Sequence, residues 1–125
     1  MSAPHILVID DEDDIRAVVQ VSLEDIAGWR VSVAASGGEG LALAARERPD
    51  AILLDVMMPE MDGPTTFAQL QADPATRTIP VVLLTAKVQP GDRRRFEDLG
   101  VAGTIPKPFD PLILARRVQE VLGWP

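Results

Sequence analysis

The chain has 125 residues, a common size for one domain and enough to bury a core without covalent staples. It contains no cysteine, which excludes disulfides and thiolate metal sites, and its apolar runs of about four residues fall far short of the roughly 20 needed to span a bilayer. The net charge of −7 argues against nonspecific nucleic-acid binding, which depends on clustered Lys and Arg.

The chain opens with Met1-Ser2-Ala3-Pro4-His5, which has no basic region followed by an apolar stretch; no signal peptide is expected, and a cytoplasmic location is the simplest expectation. Ile6-Leu7-Val8-Ile9 then reads as a strand running into Asp10-Asp11. Residues Asp10 to Asp14 are five consecutive carboxylates, more than helix capping requires. A first helix is expected over Asp13 to Ile26, with Ile15, Val18, Val19, Ser22, Leu23 and Ile26 at helical spacing and Gly28 as the stop. A second strand follows near Arg30 to Ala34, and Ser36-Gly37-Gly38-Glu39 has capping-box spacing for a helix ending near Arg48, ahead of Pro49.

The third strand, Ala51-Ile52-Leu53-Leu54, runs into Asp55, and the third helix begins around Gly63-Pro64. Val81-Val82-Leu83-Leu84 runs into Thr85. The fourth helix is expected over Asp92 to Leu99, weakened at its start by Pro90-Gly91 and ended by Gly100. A fifth segment, Val101 to Ile105, leads to Lys107. Asp110-Pro111 predicts an N-cap and first position for the last helix, whose Leu114, Val118, Val121 and Leu122 form an inward stripe. Short β-branched runs without alternation are what strands covered on both faces look like, so these segments read as parallel strands of an α/β sheet. Ligand sites in such sheets lie at the carboxyl ends of the strands. The carboxylates of Asp10, Asp11 and Asp55, the Thr85 hydroxyl and the Lys107 amine are therefore expected to converge on one edge.

Asp10-Asp11, the segment Leu54-Asp55-Val56-Met57-Met58-Pro59-Glu60-Met61-Asp62-Gly63, Thr85-Ala86 and Lys107-Pro108-Phe109, in this order and spacing, resemble the receiver domains of two-component response regulators. The resemblance runs from Ile6 to about Leu122 and is to the stand-alone, chemotaxis-regulator type. It implies one domain over residues 1–125 with a flavodoxin-like doubly wound sheet of five parallel strands, order 2-1-3-4-5, and five helices. It implies that Asp55 is a phosphoacceptor served by a partner histidine kinase or histidine phosphotransfer protein, and that the signal passes to a downstream protein target through the face formed by the fourth helix, fifth strand and fifth helix. Neither direct nucleic-acid binding nor membrane insertion is expected, and the only reactions catalysed would be the domain's own phosphorylation and dephosphorylation.

Carboxylates about 4 Å apart repel by on the order of 4 kcal/mol per pair at an effective dielectric near 20, so a cation has to sit among them. With oxygen ligands alone, Mg²⁺ is the natural candidate. By the resemblance, Asp11, Asp55 and the backbone carbonyl of Met57 hold the metal directly, while Asp10 acts largely through water. Lys107, Thr85 and the amide of Ala86 would bind the phosphoryl group, and Thr85 with position 104 would form the switch. The resemblance also implies a cis Lys107-Pro108 peptide.

Two positions depart from the family pattern. Thr104 stands where an aromatic ring usually reports the movement of the threonine, and Pro106 removes a donor from the fifth strand, which an edge strand tolerates. His5, the single histidine, precedes the first strand at the wrong end and is expected to be structural, and the side chains of Met57, Met58 and Met61 are expected to pack. Arg93-Arg94-Arg95 and Arg116-Arg117 read as solvated helical faces or as a basic strip for an acidic partner. Two other functions compete. A phosphatase of the haloacid dehalogenase type would use the same nucleophile but needs a second Asp where this chain has Met57; a flavin carrier would need a Ser/Thr/Gly-rich loop where this chain has Asp10 to Asp14.

Overall fold

The computed structural model describes residues 3–86 and 90–125, with Pro90 and Arg93 described by backbone alone. Strands β1 (His5–Ile9), β2 (Arg30–Ala34), β3 (Ala51–Asp55), β4 (Val81–Thr85) and β5 (Gly103–Pro106) form one parallel sheet in the order β2-β1-β3-β4-β5. Helices α1 (Asp13–Gln20), α2 (Gly37–Glu47), α3 (Gly63–Ala72), α4 (Pro90–Leu99) and α5 (Leu114–Leu122) make the crossovers. The expected flavodoxin-like architecture is therefore observed.

Successive residues of a strand point to opposite faces, so an unbroken apolar run feeds two cores at once. Leu7, Ile9, Ile52, Leu54, Val81 and Leu83 face one core, joined there by Ala44, Phe67, Leu70 and Phe96 from the helices. Ile6, Val8, Leu53, Val82, Leu84 and Ile105 face the other, with Val19, Leu23, Leu114 and Val118. The expected stripe of α5 is seen: Leu114 and Val118 are fully buried, and Val121 and Leu122 pack against the same cluster.

Local signals hold at most ends. Ser36 Oγ accepts from the Glu39 amide at 3.2 Å, and α2 closes on Arg48 in the left-handed region (φ 48°) just before Pro49. Asp62 Oδ1 caps α3 by accepting from the Thr65 amide at 2.8 Å, and hydrogen bonding from the Thr65 side chain and then its amide holds the Asp62 pKa below the ordinary value.

Strand β5 starts at Gly103 rather than at Val101 and ends at Pro106, and three helix boundaries also differ from expectation. The first helix is α-helical only to Gln20 and continues as a π-helical segment over Val21–Ile26, in which the Ala27 amide donates to the Ser22 carbonyl at 3.2 Å. The wider turn lets the consecutive residues Ser22 and Leu23 both go inside and rotates Ile26 outward, so Ile26 is exposed instead of inward. Ser22 Oγ donates to the Pro111 carbonyl, tying this segment to the loop before α5. Asp110 does not cap α5. Its side chain accepts from the Leu112 amide at 2.9 Å and its carbonyl from the Ile113 amide at 3.1 Å, closing a separate turn. Ile113 then leaves helical geometry and α5 starts at Leu114. Helix α4 starts at Pro90, two residues earlier than expected, because a proline in the first turn forfeits no intrahelical hydrogen bond.

Candidate functional site

Sheet order, rather than sequence proximity, assembles the site. Strands β1 and β3 are neighbours with Ile9 opposite Leu54, so Asp10 and Asp55 emerge side by side at the carboxyl edge. Thr85 closes β4 on the other side of β3, and Pro106 at the end of the edge strand β5 pairs with Thr85. The Lys107 amide continues that ladder by donating to the Thr85 carbonyl at 2.8 Å, and the following Lys107-Pro108 peptide is cis, as expected.

Asp10, Asp55 and Thr85 are buried. Lys107 is 13% exposed; its Nζ donates to Asp10 Oδ2 at 2.8 Å and to Asp55 Oδ1 at 3.1 Å, and lies 3.8 Å from Glu12 Oε1. Burial alone would depress the lysine pKa, but the hydrogen bonds and charges of Asp10 and Asp55 outweigh it and the net shift is upward. Burial, reinforced by the charge of Asp10, pushes the Asp55 carboxyl up to about 6 against the pull of Lys107 and the Met57 amide. That amide donates to Asp55 Oδ1 at 3.4 Å, and the Glu12 amide donates to Asp10 Oδ1 at 2.9 Å.

The loop after β3 folds back tightly on Asp55. The Gly63 amide donates to the Val56 carbonyl at 2.9 Å, and a Cβ at position 63 would stand 2.5 Å from the Asp55 carbonyl oxygen. Met58 is buried, but Met57 is 67% exposed, so its side chain does not pack as expected; it lies outside while its amide turns toward Asp55.

Asp10, Asp11 and Asp55 each offer an oxygen within 4.8 Å of the others. Asp55 Oδ2 is buried and has no hydrogen-bond partner among the described residues, whereas Oδ1 is bound to Lys107 and the Met57 amide. A donor set made only of carboxylate oxygens fits a hard divalent cation. Ala86 follows Thr85 as an exposed residue, and Thr104 is half-buried, opposite Leu83 in the register of β4 and β5. Between Ala86 and α4, residues 87–89 lie outside the described residues. His5 sits at the opposite edge, where Nε2 shares a hydrogen bond with Ser32 Oγ at 2.8 Å and lies 3.5 Å from Glu47 Oε1.

Two features were missed in the sequence. Arg16 reaches back to the Asp10 carbonyl, and its position as the first cation after the acidic run was the available signal. The backbone contact that requires glycine at 63 had no local signal, because it depends on the return of the loop.

A family model described as the response regulator receiver domain matches residues 6–119. The chain is 45% identical over 121 residues to the response regulator PleD of Caulobacter vibrioides, an alignment covering 97% of this chain and 26% of that protein. It is 41% identical over 119 residues to the DNA-binding dual master transcriptional regulator RpaA of a Synechocystis strain, covering 95% of this chain and 49% of that protein. The chain thus spans about a quarter to a half of these relatives' length. Among solved structures, the Vibrio cholerae chemotaxis protein CheY4 superposes with a TM-score of 0.89 at 34% identity, covering 97% of this chain and all of that one. The receiver domain of the sensor histidine kinase PA1611 from Pseudomonas aeruginosa, which holds a magnesium ion in its active-site cleft, matches with a TM-score of 0.84 at 31% identity over 98% and 99% of the two chains. Among the described residues, no helix is long and apolar enough to cross a membrane.

Proposed function

Because this chain belongs to the response regulator receiver family, we propose that residues 1–125 are a single receiver domain whose Asp55 accepts a phosphoryl group from a histidine kinase or a histidine phosphotransfer protein. The observation that carries this reading is the asymmetry of Asp55: one oxygen is tied to Lys107 and the Met57 amide, and the other is buried and unpartnered. The free oxygen is the nucleophile. It forms the new O–P bond as the P–N bond to the donor histidine breaks, and the electron pair of that bond leaves with the imidazole.

Asp11, Asp55 and the Met57 carbonyl would hold Mg²⁺, with Asp10 acting largely through water; the cation, when bound, supplies positive charge to the phosphoryl oxygens. A carboxylate is a weak nucleophile, so positioning and electrostatics supply most of the acceleration. Lys107 already lies against Asp55 and is the ammonium that follows the added charge. Thr85 and the Ala86 amide are the donors to the phosphoryl oxygens. With Thr104 in place of a ring, the switch runs from Thr85 through α4 to the α4, β5 and α5 face, where a protein target docks. The domain catalyses only its own phosphorylation and dephosphorylation, and a cytoplasmic setting is in keeping with such a role. The phosphatase alternative gains no support, since position 57 is Met.

Intact-protein mass spectrometry after incubation with a small acyl phosphate and Mg²⁺ is expected to show one added phosphate, lost in Asp55→Asn and on chelation. Equal labelling of the Asn variant would overturn the assignment.

A further inference from the structure

Arg16 is the single Arg or Lys among the first 29 residues, and it stands two residues past a run of five carboxylates. Its side chain is only 17% exposed although it lies in the second turn of α1. Nη1 donates to the backbone carbonyl of Asp10 at 2.7 Å, and Nη2 donates to Asp13 Oδ1.

The chain leaves the sheet at this point. The Asp10 amide still donates to the Ala34 carbonyl at 3.1 Å, but the carbonyl of the same residue is taken by a side chain. That carbonyl belongs to the peptide plane joining Asp10 to Asp11, so holding it sets the direction in which Asp11 departs. The Asp10 carboxylate is fixed separately, by the Glu12 amide and Lys107. Among the described residues, no other hydrogen bond fixes the plane between the two aspartates.

We propose that Arg16 is a positioning residue for the divalent-cation site: it presets the Asp10-Asp11 turn so that the Asp11 carboxylate is aimed before the cation arrives. This rests on the reading of the site given above. Charge and geometry act with opposite signs here. A guanidinium beside the site repels a cation, so as a mere charge it weakens binding, whereas as a clamp it strengthens binding by removing the cost of ordering the turn. The clamp dominates because the guanidinium charge is already paired with Asp13, and because a planar fork can fix two acceptors at once where an ammonium acts as a point charge.

The test is titration of the full chain with Mg²⁺, followed by the amide shifts of Asp11 and Met57 in NMR, for wild type, Arg16→Gln and Arg16→Lys. Melting in EDTA checks that the variants are folded. Both variants are expected to bind Mg²⁺ more weakly, by roughly tenfold, as is usual when a group that orients a ligand is lost. Tighter binding by Arg16→Gln, or wild-type affinity in Arg16→Lys, would overturn the clamp. Arg16→Lys retains the charge and keeps the proposal falsifiable if the Gln variant fails to fold. Absence of Mg²⁺ binding by the wild type would instead overturn the proposed function itself.

Discussion

Asp55 is held under opposed demands. Burial and the Asp10 charge raise its pKa from the ordinary 3.8 to about 6, while Lys107 and the Met57 amide pull it down. Between those two values the folded state binds the proton more tightly than the unfolded chain, so stability from this group declines as pH rises through the window. Below it both states are protonated and nothing is lost; above it the full penalty stands. In EDTA at pH 7, Asp55→Asn is therefore expected to be more stable than wild type by on the order of 2–3 kcal/mol, since the amide oxygen still accepts from Lys107 and one carboxylate remains for one ammonium. Urea titrations at several pH values should show the difference shrinking as pH falls from 6 toward 4. Equal stability at pH 7 would mean that Lys107 fully compensates the buried charge. The identity of the acidic residues, the hydroxyl and the amine was legible in sequence because each ends an apolar run. The sharing of Lys107 between Asp10 and Asp55 was not, since these residues are far apart along the chain and meet only through the sheet.

At the scale of elements, the loop between β3 and α3 has the narrowest tolerance. A Cβ at Gly63 would meet the Asp55 carbonyl oxygen at 2.5 Å and the Val56 Cα at 2.8 Å, both backbone atoms that no rotamer change can move. Gly63→Ala should destabilise by about 1–3 kcal/mol or more, as overpacking does, and should also disturb the amide signals of Val56 and Met57. Gly103 makes a useful contrast, because a Cβ there would meet Val121 Cγ1 at 2.6 Å, a side-chain atom that can be trimmed. Val121→Ala should rescue Gly103→Ala in a double-mutant cycle, while no side-chain deletion should rescue Gly63→Ala. Helical spacing located α1 and α5, and capping, proline and glycine signals located the other three, yet the spacing read α1 and the π-helical segment as one α-helix. A single inserted residue in the turn barely alters a hydrophobic pattern, but it decides that Ile26 faces out.

For the whole molecule, one sheet supports two cores. Leu53 and Leu54 are adjacent in sequence and fully buried on opposite faces. Each Leu→Ala change is expected to cost about 2–5 kcal/mol. Trp29 and Trp124, with ring centroids 5.9 Å apart, both pack against the cluster that contains Leu53. If the sheet couples its two faces, Leu54→Ala should lower the tryptophan fluorescence midpoint as much as the circular dichroism midpoint, in one transition. Separate midpoints would show that the faces unfold independently.

The sequence by itself determined the strands, the two-sided burial and the residue types at the strand ends, because those are local: a four-residue β-branched run and the polar residue that stops it occupy adjacent positions. Tertiary structure alone decided which oxygen of Asp55 is free, that Lys107 bridges two carboxylates, that Met57 points outward, and that Arg16 reaches the Asp10 carbonyl. Each of these depends on where a side chain or loop goes after leaving its strand. That direction is set by contacts between segments distant along the chain, and no local pattern encodes it.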